Sequence, residues 1–144
     1  MPDWLTGYEL DFLIKLGLCL VAGVAIGVER ELRNKPAGIS TPCFVIAGAA
    51  LFTFISTVAD PNSPARIAAQ VVSGVGFLGA GMILKSDNNT VRNLTTAAAI
   101  WFAAALGMAI GIGWYAIAGV ATLYAIIVPR IPHIKSWSAK DFDE

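Results

Sequence analysis

Charged residues along the chain are bunched, and the stretches between them are long and apolar. Leu16–Val28 carries no charge, and it extends back to Phe12 if Lys15 turns its ammonium toward the surface. A second apolar run starts near Ile39 and reaches Ala59, and Ile67–Leu84 is a third. Asn93–Pro129 is then charge-free for 37 residues. As one helix that segment would be about 55 Å long, nearly twice the ~30 Å thickness of a bilayer's hydrocarbon core. Gly111-Ile112-Gly113 falls near its middle, beside Trp114 and Tyr115. Paired glycines favour a turn, and aromatic rings favour the membrane interface. The pattern predicts an all-α membrane protein, a compact bundle of about five transmembrane helices over 10–30, 39–59, 66–85, 93–110 and 113–129. A short tail, 130–144, follows. Four spans, with a re-entrant third or fourth segment, is the alternative.

Composition agrees. Of 144 residues 56% are hydrophobic and 14% charged, against about a quarter charged in soluble domains. Such a chain cannot coat a soluble globule, and it is neither a disordered tail, a disulfide scaffold nor a basic nucleic-acid binder. Cys19 and Cys43 lie inside apolar runs and read as small packing residues.

Net charge is zero, so placement matters more than balance. With five spans, Arg30, Arg33, Lys35, Lys85, Arg92, Arg130, Lys135 and Lys140 fall on one side of the membrane. Lys15 and Arg66 fall on the other. The excess of basic residues on cytoplasmic loops then predicts an outside N-terminus and a cytoplasmic C-terminus. The leading segment is acidic, with Asp3, Glu9 and Asp11, and lacks the basic start of a secretory signal. Asp11, one turn before Lys15, is placed to pair with it.

Small residues recur at helical spacing. Gly23 and Gly27 form G-x-x-x-G in the first span, and Gly107 and Gly111 form another in the fourth. Ala69, Ser73, Gly76 and Ala80 make one stripe of the third, which Arg66 begins. Lipid tails are as apolar as leucine, so spans associate by close backbone approach at such residues. Gly74-Val75-Gly76-Phe77-Leu78-Gly79 spells a dinucleotide fingerprint, but no strand precedes it and no soluble α/β unit surrounds it. Gly74, Gly76, Gly79 and Gly81 together instead predict a packing face or a bent, partly unwound helix.

Polar residues gather at one predicted membrane edge. Glu29, Arg30 and Arg33 follow the first span, and Thr41 opens the second. Arg92, Asn93, Thr95 and Thr96 open the fourth, where Asn93 is placed to cap the helix. Glu29 to Arg33 and Glu31 to Lys35 are acid-to-base pairs one turn apart, and Pro36 stops the helix. An ionisable residue at the hydrocarbon boundary is a functional-site candidate by default. One carboxylate among three arginines is a poor Mg²⁺ cage, so a hydrogen-bonded, ion-paired cluster is expected rather than a metal site. No cofactor is expected. Asp60 and Arg66 form the comparable group at the outer edge. No Ser/His/Asp set, His/Glu metal motif or phosphate-binding loop is present, so the chain does not read as an enzyme.

Three blocks together resemble the MgtC/SapB family of bacterial inner-membrane proteins. They are Gly27-Val28-Glu29-Arg30-Glu31 with Lys35-Pro36-Ala37-Gly38-Ile39-Ser40-Thr41, then Arg66-Ile67-Ala68 with Val71 through Gly81, then Val91-Arg92-Asn93-Leu94-Thr95-Thr96-Ala97-Ala98 with Trp101. The resemblance runs from about Leu10 to Pro132. It implies a multi-pass inner-membrane protein linked to growth in low magnesium, acid-stress tolerance and survival inside host cells (virulence). It also implies a soluble C-terminal domain in many members, for which this sequence has no room after Pro129. The resulting expectation is a non-enzymatic regulator acting by helix contact with itself or with a membrane ATPase, in a homodimer through Gly23/Gly27 or Gly107/Gly111. The alternative is a Mg²⁺ or H⁺ transporter or channel using Glu29 and Arg66.

Overall fold

In a computed structural model, residues 6–59, 61–85 and 91–131 are described. Five helices follow in order: α1 (Glu9–Leu32), α2 (Ser40–Ala59), α3 (Ala65–Met82), α4 (Leu94–Ile112) and α5 (Tyr115–Ile127), the last running into a 3-10 turn at Val128–Arg130. Between α3 and α4 lie two residue pairs in extended form, β1 (Leu84–Lys85) and β2 (Val91–Arg92), antiparallel with Leu84 opposite Arg92. The helical class follows from the apolar runs. The first four helices have 24, 20, 18 and 19 residues, about 27–36 Å at 1.5 Å per residue, enough to cross a bilayer. Helix α5, with 13 residues, is only about 20 Å long.

Several helix ends have identifiable causes. The Glu9 carboxylate accepts from the backbone N–H groups of Thr6 (2.6 Å) and Gly7 (2.8 Å) and from the Thr6 hydroxyl (2.8 Å), which fixes the entry to α1. Glu9 and Asp11 lie in its first turn and Arg30 in its last, each on the favourable end of the helix dipole. Helix α3 is capped by its neighbour. The buried Ser56 hydroxyl of α2 donates to the Pro64 carbonyl (2.6 Å) and accepts from the N–H groups of Ile67 (3.2 Å) and Ala68 (3.3 Å). Helix α4 ends at Gly113, whose φ of 97° lies in the left-handed region. Its N–H and that of Trp114 return to the Ala109 carbonyl, the ending glycine favours at a helix C-terminus.

Two expectations about glycine change here. The turn before α5 uses Gly113 alone, while Gly111 stays helical, because α2 lies directly against it. Helix α3 runs unbroken through Gly74, Gly76, Gly79 and Gly81, with no unwound segment. It also ends at Met82, three residues early, because the chain becomes extended at Ile83 and pairs β1 with β2.

Close approaches set the packing order. A methyl group added at Gly23 would sit 2.6 Å from the Cys43 Cα and Sγ atoms, and one at Gly27 would overlap Ile39. Helices α1 and α2 are therefore antiparallel. A methyl at Gly107 would overlap the Ile46 carbonyl, and one at Gly111 would lie 2.7 Å from the Ala50 carbonyl and 2.8 Å from the Thr53 Cβ. That makes α4 parallel to α2. Helices α2 and α4 form the centre, with α1 and α5 on one side and α3 on the other. Cys19, Ala22, Ile26, Ile46, Ala50, Ala103, Leu106, Ile110 and Ala118 build one core cluster; Ala49, Val71, Val75, Ile100 and Ala104 build a second against α3. Both G-x-x-x-G faces are thus occupied by α2 within the same chain.

Candidate functional site

The end of the bundle formed by the C-terminus of α1 and the N-termini of α2 and α4 gathers the polar residues. Extending the α1–α2 and α2–α4 glycine contacts toward this end brings Glu29, Arg30 and Glu31 level with Thr96, Ala97 and Ala98. Glu29 is 4% exposed, Arg30 5% and Thr96 4%. The Glu29 carboxylate takes the Arg33 guanidinium at 3.4 Å, a long bond for a charge-assisted pair.

Arg30 does something the sequence pattern did not signal. Its Nε donates to the Ala37 carbonyl at 2.7 Å, and a terminal guanidinium nitrogen donates to the Pro36 carbonyl. The backbone N–H of Lys35 returns to the Arg30 carbonyl (3.0 Å). Glu31 does not pair with Lys35. Its carboxylate accepts instead from the Ile39 backbone N–H at 3.1 Å and lies against Gly38, where an added methyl would have to displace the Glu31 side chain. Arg30 and Glu31 therefore clamp the α1–α2 connection from both sides. The connection contains two left-handed residues, Asn34 with φ of 51° and Ala37 with φ of 60°; asparagine adopts this region readily, but for alanine it is costly, so the clamp holds a strained position.

The rest of the expected cluster is nearby but less engaged. Thr41 is half-buried, Arg92 and Thr95 are exposed, and Asn93 is half-buried. Among the described residues none of these four side chains makes a hydrogen bond. Asn93 does occupy the N-cap position of α4, but its φ of 65° is left-handed and its side chain makes no capping bond. Among the described residues no group of three or more His, Cys, Asp or Glu side chains is placed to hold a metal ion.

At the opposite end, Arg66 stands exposed in the first turn of α3, so Glu29 and Arg66 lie at opposite ends of the bundle. Asp60 lies outside the described residues. That end also holds a charge the pattern placed at the surface. Lys15 pairs with Asp11 at 2.7 Å as expected, yet it is only 7% exposed. Its ammonium lies 4.8 Å from the centre of the Phe54 ring, an attractive arrangement for a desolvated cation. Tyr8 and Phe12 stack around the same ring. Thr53, buried nearby on α2, has a hydroxyl without a partner among the described residues. Ser56 and Thr53 were not singled out from the sequence. Hydroxyls three residues apart in an otherwise apolar span were the available signal.

Lys15 and Glu29 share one buried stripe of α1, about 21 Å apart along the axis. Between them the stripe continues through Cys19, Ala22 and Ile26, against Ile46, Ala50, Ala103, Leu106 and Ile110, all within the first core cluster. Three grooves of about 470, 570 and 600 Å³ lie between α2 and α3, between α1 and α2, and between α4 and α5, and exposed side chains line each of them.

Apolar helices of spanning length around an apolar core, with ionic groups held at the two ends, define a multi-spanning helical membrane protein. The chain matches the MgtC family over residues 16–133 and belongs to it. It is 44% identical over 127 residues to protein SapB of Bacillus subtilis (strain 168), covering 81% of this chain and 54% of SapB. It is also 44% identical over 112 residues to protein MgtC of Salmonella typhimurium (strain LT2), covering 78% of this chain and 48% of MgtC. A protein of Escherichia coli (strain K12), YhiD, whose name marks it only as a candidate magnesium transporter, is 45% identical over 132 residues, covering 85% of this chain and 61% of YhiD. The chain spans about half the length of the curated relatives it matches. No solved structure matches it.

Proposed function

We propose that this chain is a non-enzymatic regulator of ion or pH homeostasis in the bacterial inner membrane, serving adaptation to low magnesium or acid stress. It acts through helix contacts with itself or with an ion-moving membrane ATPase. The observation that carries this reading is the packed core between Lys15 and Glu29. An ion moving between those two levels would meet some 20 Å lined by buried Ala, Ile, Leu and Cys, because the other buried polar side chains among the described residues, Arg30, Thr53, Ser56 and Thr96, lie toward the two ends and not between, where they could replace its hydration. The magnesium link is supported by the family and by the name of the Escherichia coli relative. The orientation is N-terminus outside and C-terminus cytoplasmic, supported by Arg30, Arg33, Lys35, Lys85, Arg92 and Arg130 all lying at one end of the bundle.

The competing reading is a Mg²⁺ or H⁺ transporter through Glu29 and Arg66. The burial of Glu29 favours it, since an inward carboxylate marks many ion paths. Purified protein in sealed liposomes separates the two. We expect no Mg²⁺ or H⁺ flux above empty liposomes, together with restored low-magnesium growth when the chain is expressed in a deletion strain. Flux that Glu29→Gln abolishes would establish the transporter instead.

A further inference from the structure

Helix α3 is built unlike the other outer helices. The exposed sides of α1 and α5 carry Leu13, Leu20, Val21, Val120, Leu123 and Ile127, as a lipid-facing surface should. Helix α3 already uses one face inside the chain, through Ala68, Val71, Val75 and Gly79. Its opposite face presents Gln70, Ser73 and Phe77, spaced i, i+3, i+7 in the heptad manner of a helix-pairing seam, and all three are exposed. Gly74, Gly76 and Gly81 flank them, each with open space where a side chain would be.

Two of these residues are costly to leave in lipid. Neither the Gln70 amide nor the Ser73 hydroxyl hydrogen-bonds to any described residue. A polar group in hydrocarbon without a partner costs several kcal/mol by transfer scales, and side chains of this kind hydrogen-bond between spanning helices. Phe77, 81% exposed, projects as a knob between the glycine openings. Beside it the α2–α3 groove, lined by Gln70, Gly74, Gly48, Phe44 and Phe52, leaves about 470 Å³.

We propose that the α3 face through Gln70, Ser73 and Phe77 pairs with the same face of a second copy, about a two-fold axis normal to the membrane. A second copy is the occupant that the chemistry selects. An amide is both donor and acceptor, so Gln70 satisfies its own copy. A two-fold axis places each polar group at the depth of its counterpart, which a foreign helix would have to match by a separate coincidence. The surface is self-complementary, as a two-fold interface requires, with a ring on each side and glycine openings and a groove to receive it. The glycine faces of α1 and α4 are already filled by α2 and cannot serve. Arg66 opens the same face, but it lies in the first turn, where water and salt screen the two like charges. This pairing rests on the regulator reading only for its purpose, not for its geometry.

The test is cysteine crosslinking of the full chain in native membranes. Ser73→Cys and Phe77→Cys should give oxidant-induced dimers well above the wild type, which carries Cys19 and Cys43. Leu13→Cys on α1 and Leu123→Cys on α5 should not. Gln70→Leu, which makes the helix more apolar and leaves its folding intact, should weaken self-association roughly 3- to 30-fold, with Gln70→Asn partly restoring it. Equal yields at all four cysteine positions, adducts to a different protein, or an unweakened Gln70→Leu dimer would each overturn the pairing. Low-magnesium complementation without crosslinks at 73 and 77 would sink the dimer and leave the regulator standing. Crosslinks accompanied by ion flux in liposomes would do the reverse.

Discussion

Replacing glycine by alanine should have opposite effects at two sets of positions that look alike in sequence. At Gly107 an added methyl would overlap the Ile46 carbonyl and lie 2.9 Å from the Ala49 Cβ. Both obstacles belong to the backbone or to its first side-chain atom, so neither can swing away, and α4 must back off from α2. Overpacking of this kind costs about 1–3 kcal/mol. Alanine regains up to about 1 kcal/mol of helix propensity, which leaves a net loss of up to about 2 kcal/mol. Gly23→Ala, facing the Cys43 Cα and Sγ atoms at 2.6 Å, should behave the same way. At Gly17 of α1 and Gly119 of α5 nothing lies within 4 Å of the added carbon, so the propensity gain stands alone. Both substitutions should be neutral or stabilising by up to about 1 kcal/mol. Reversible unfolding in mixed micelles, followed by circular dichroism, measures all four. Gly107→Ala and Gly23→Ala at or above wild-type stability would refute the close-packed α1–α2–α4 arrangement. So would losses at Gly17 and Gly119 equal to those at the packed sites.

Three further outcomes follow from local geometry. Arg30→Ala should remove two bonds from a charged donor, each worth about 1.5–3 kcal/mol, and open the α1–α2 connection. Faster cleavage there by added protease in inverted membrane vesicles would show it, and Arg30→Lys should be intermediate because it loses the forked geometry. Ser56→Ala should leave the Ile67 and Ala68 N–H groups and the Pro64 carbonyl without their shared partner, for a loss of about 1–3 kcal/mol in the same unfolding assay. Ala37→Gly should stabilise by up to about 1 kcal/mol, since the left-handed φ of 60° is strained only for a residue with a Cβ; a destabilised variant would mean that the alanine methyl contributes more than the strain removes.

The helices were legible because their cause is one-dimensional. An apolar run long enough to cross a bilayer needs internally bonded backbone in lipid, and within one segment only a helix supplies it. The Asp11–Lys15 and Glu29–Arg33 pairs were legible for the same reason, since an interval of four residues is fixed by helix geometry. The burial of Lys15 was not, because it depends on Phe54, thirty-nine residues away, turning its ring toward the ammonium. Likewise the role of Arg30 depends on the loop that follows it rather than on the helix that carries it. The end of α3 at Met82 reflects pairing between β1 and β2 across a connection, which no local pattern reports.

The glycines show most clearly where reading along the chain stops. Gly23, Gly27, Gly107 and Gly111 form two motifs of identical spacing to those that join separate chains, and here both are filled by α2. Spacing states that a close approach occurs but not which helix approaches. Once those faces are assigned, an interaction through helix contact has little surface left that differs from lipid-facing helix. The ionisable groups do not provide it either, since Arg30 and Glu31 bind their own loop and Lys15 binds Asp11. What remains is α3, with an amide, a hydroxyl and glycine openings on its outer face. The proposed contact requires a surface unsuited to lipid, and α3 is where this chain carries one.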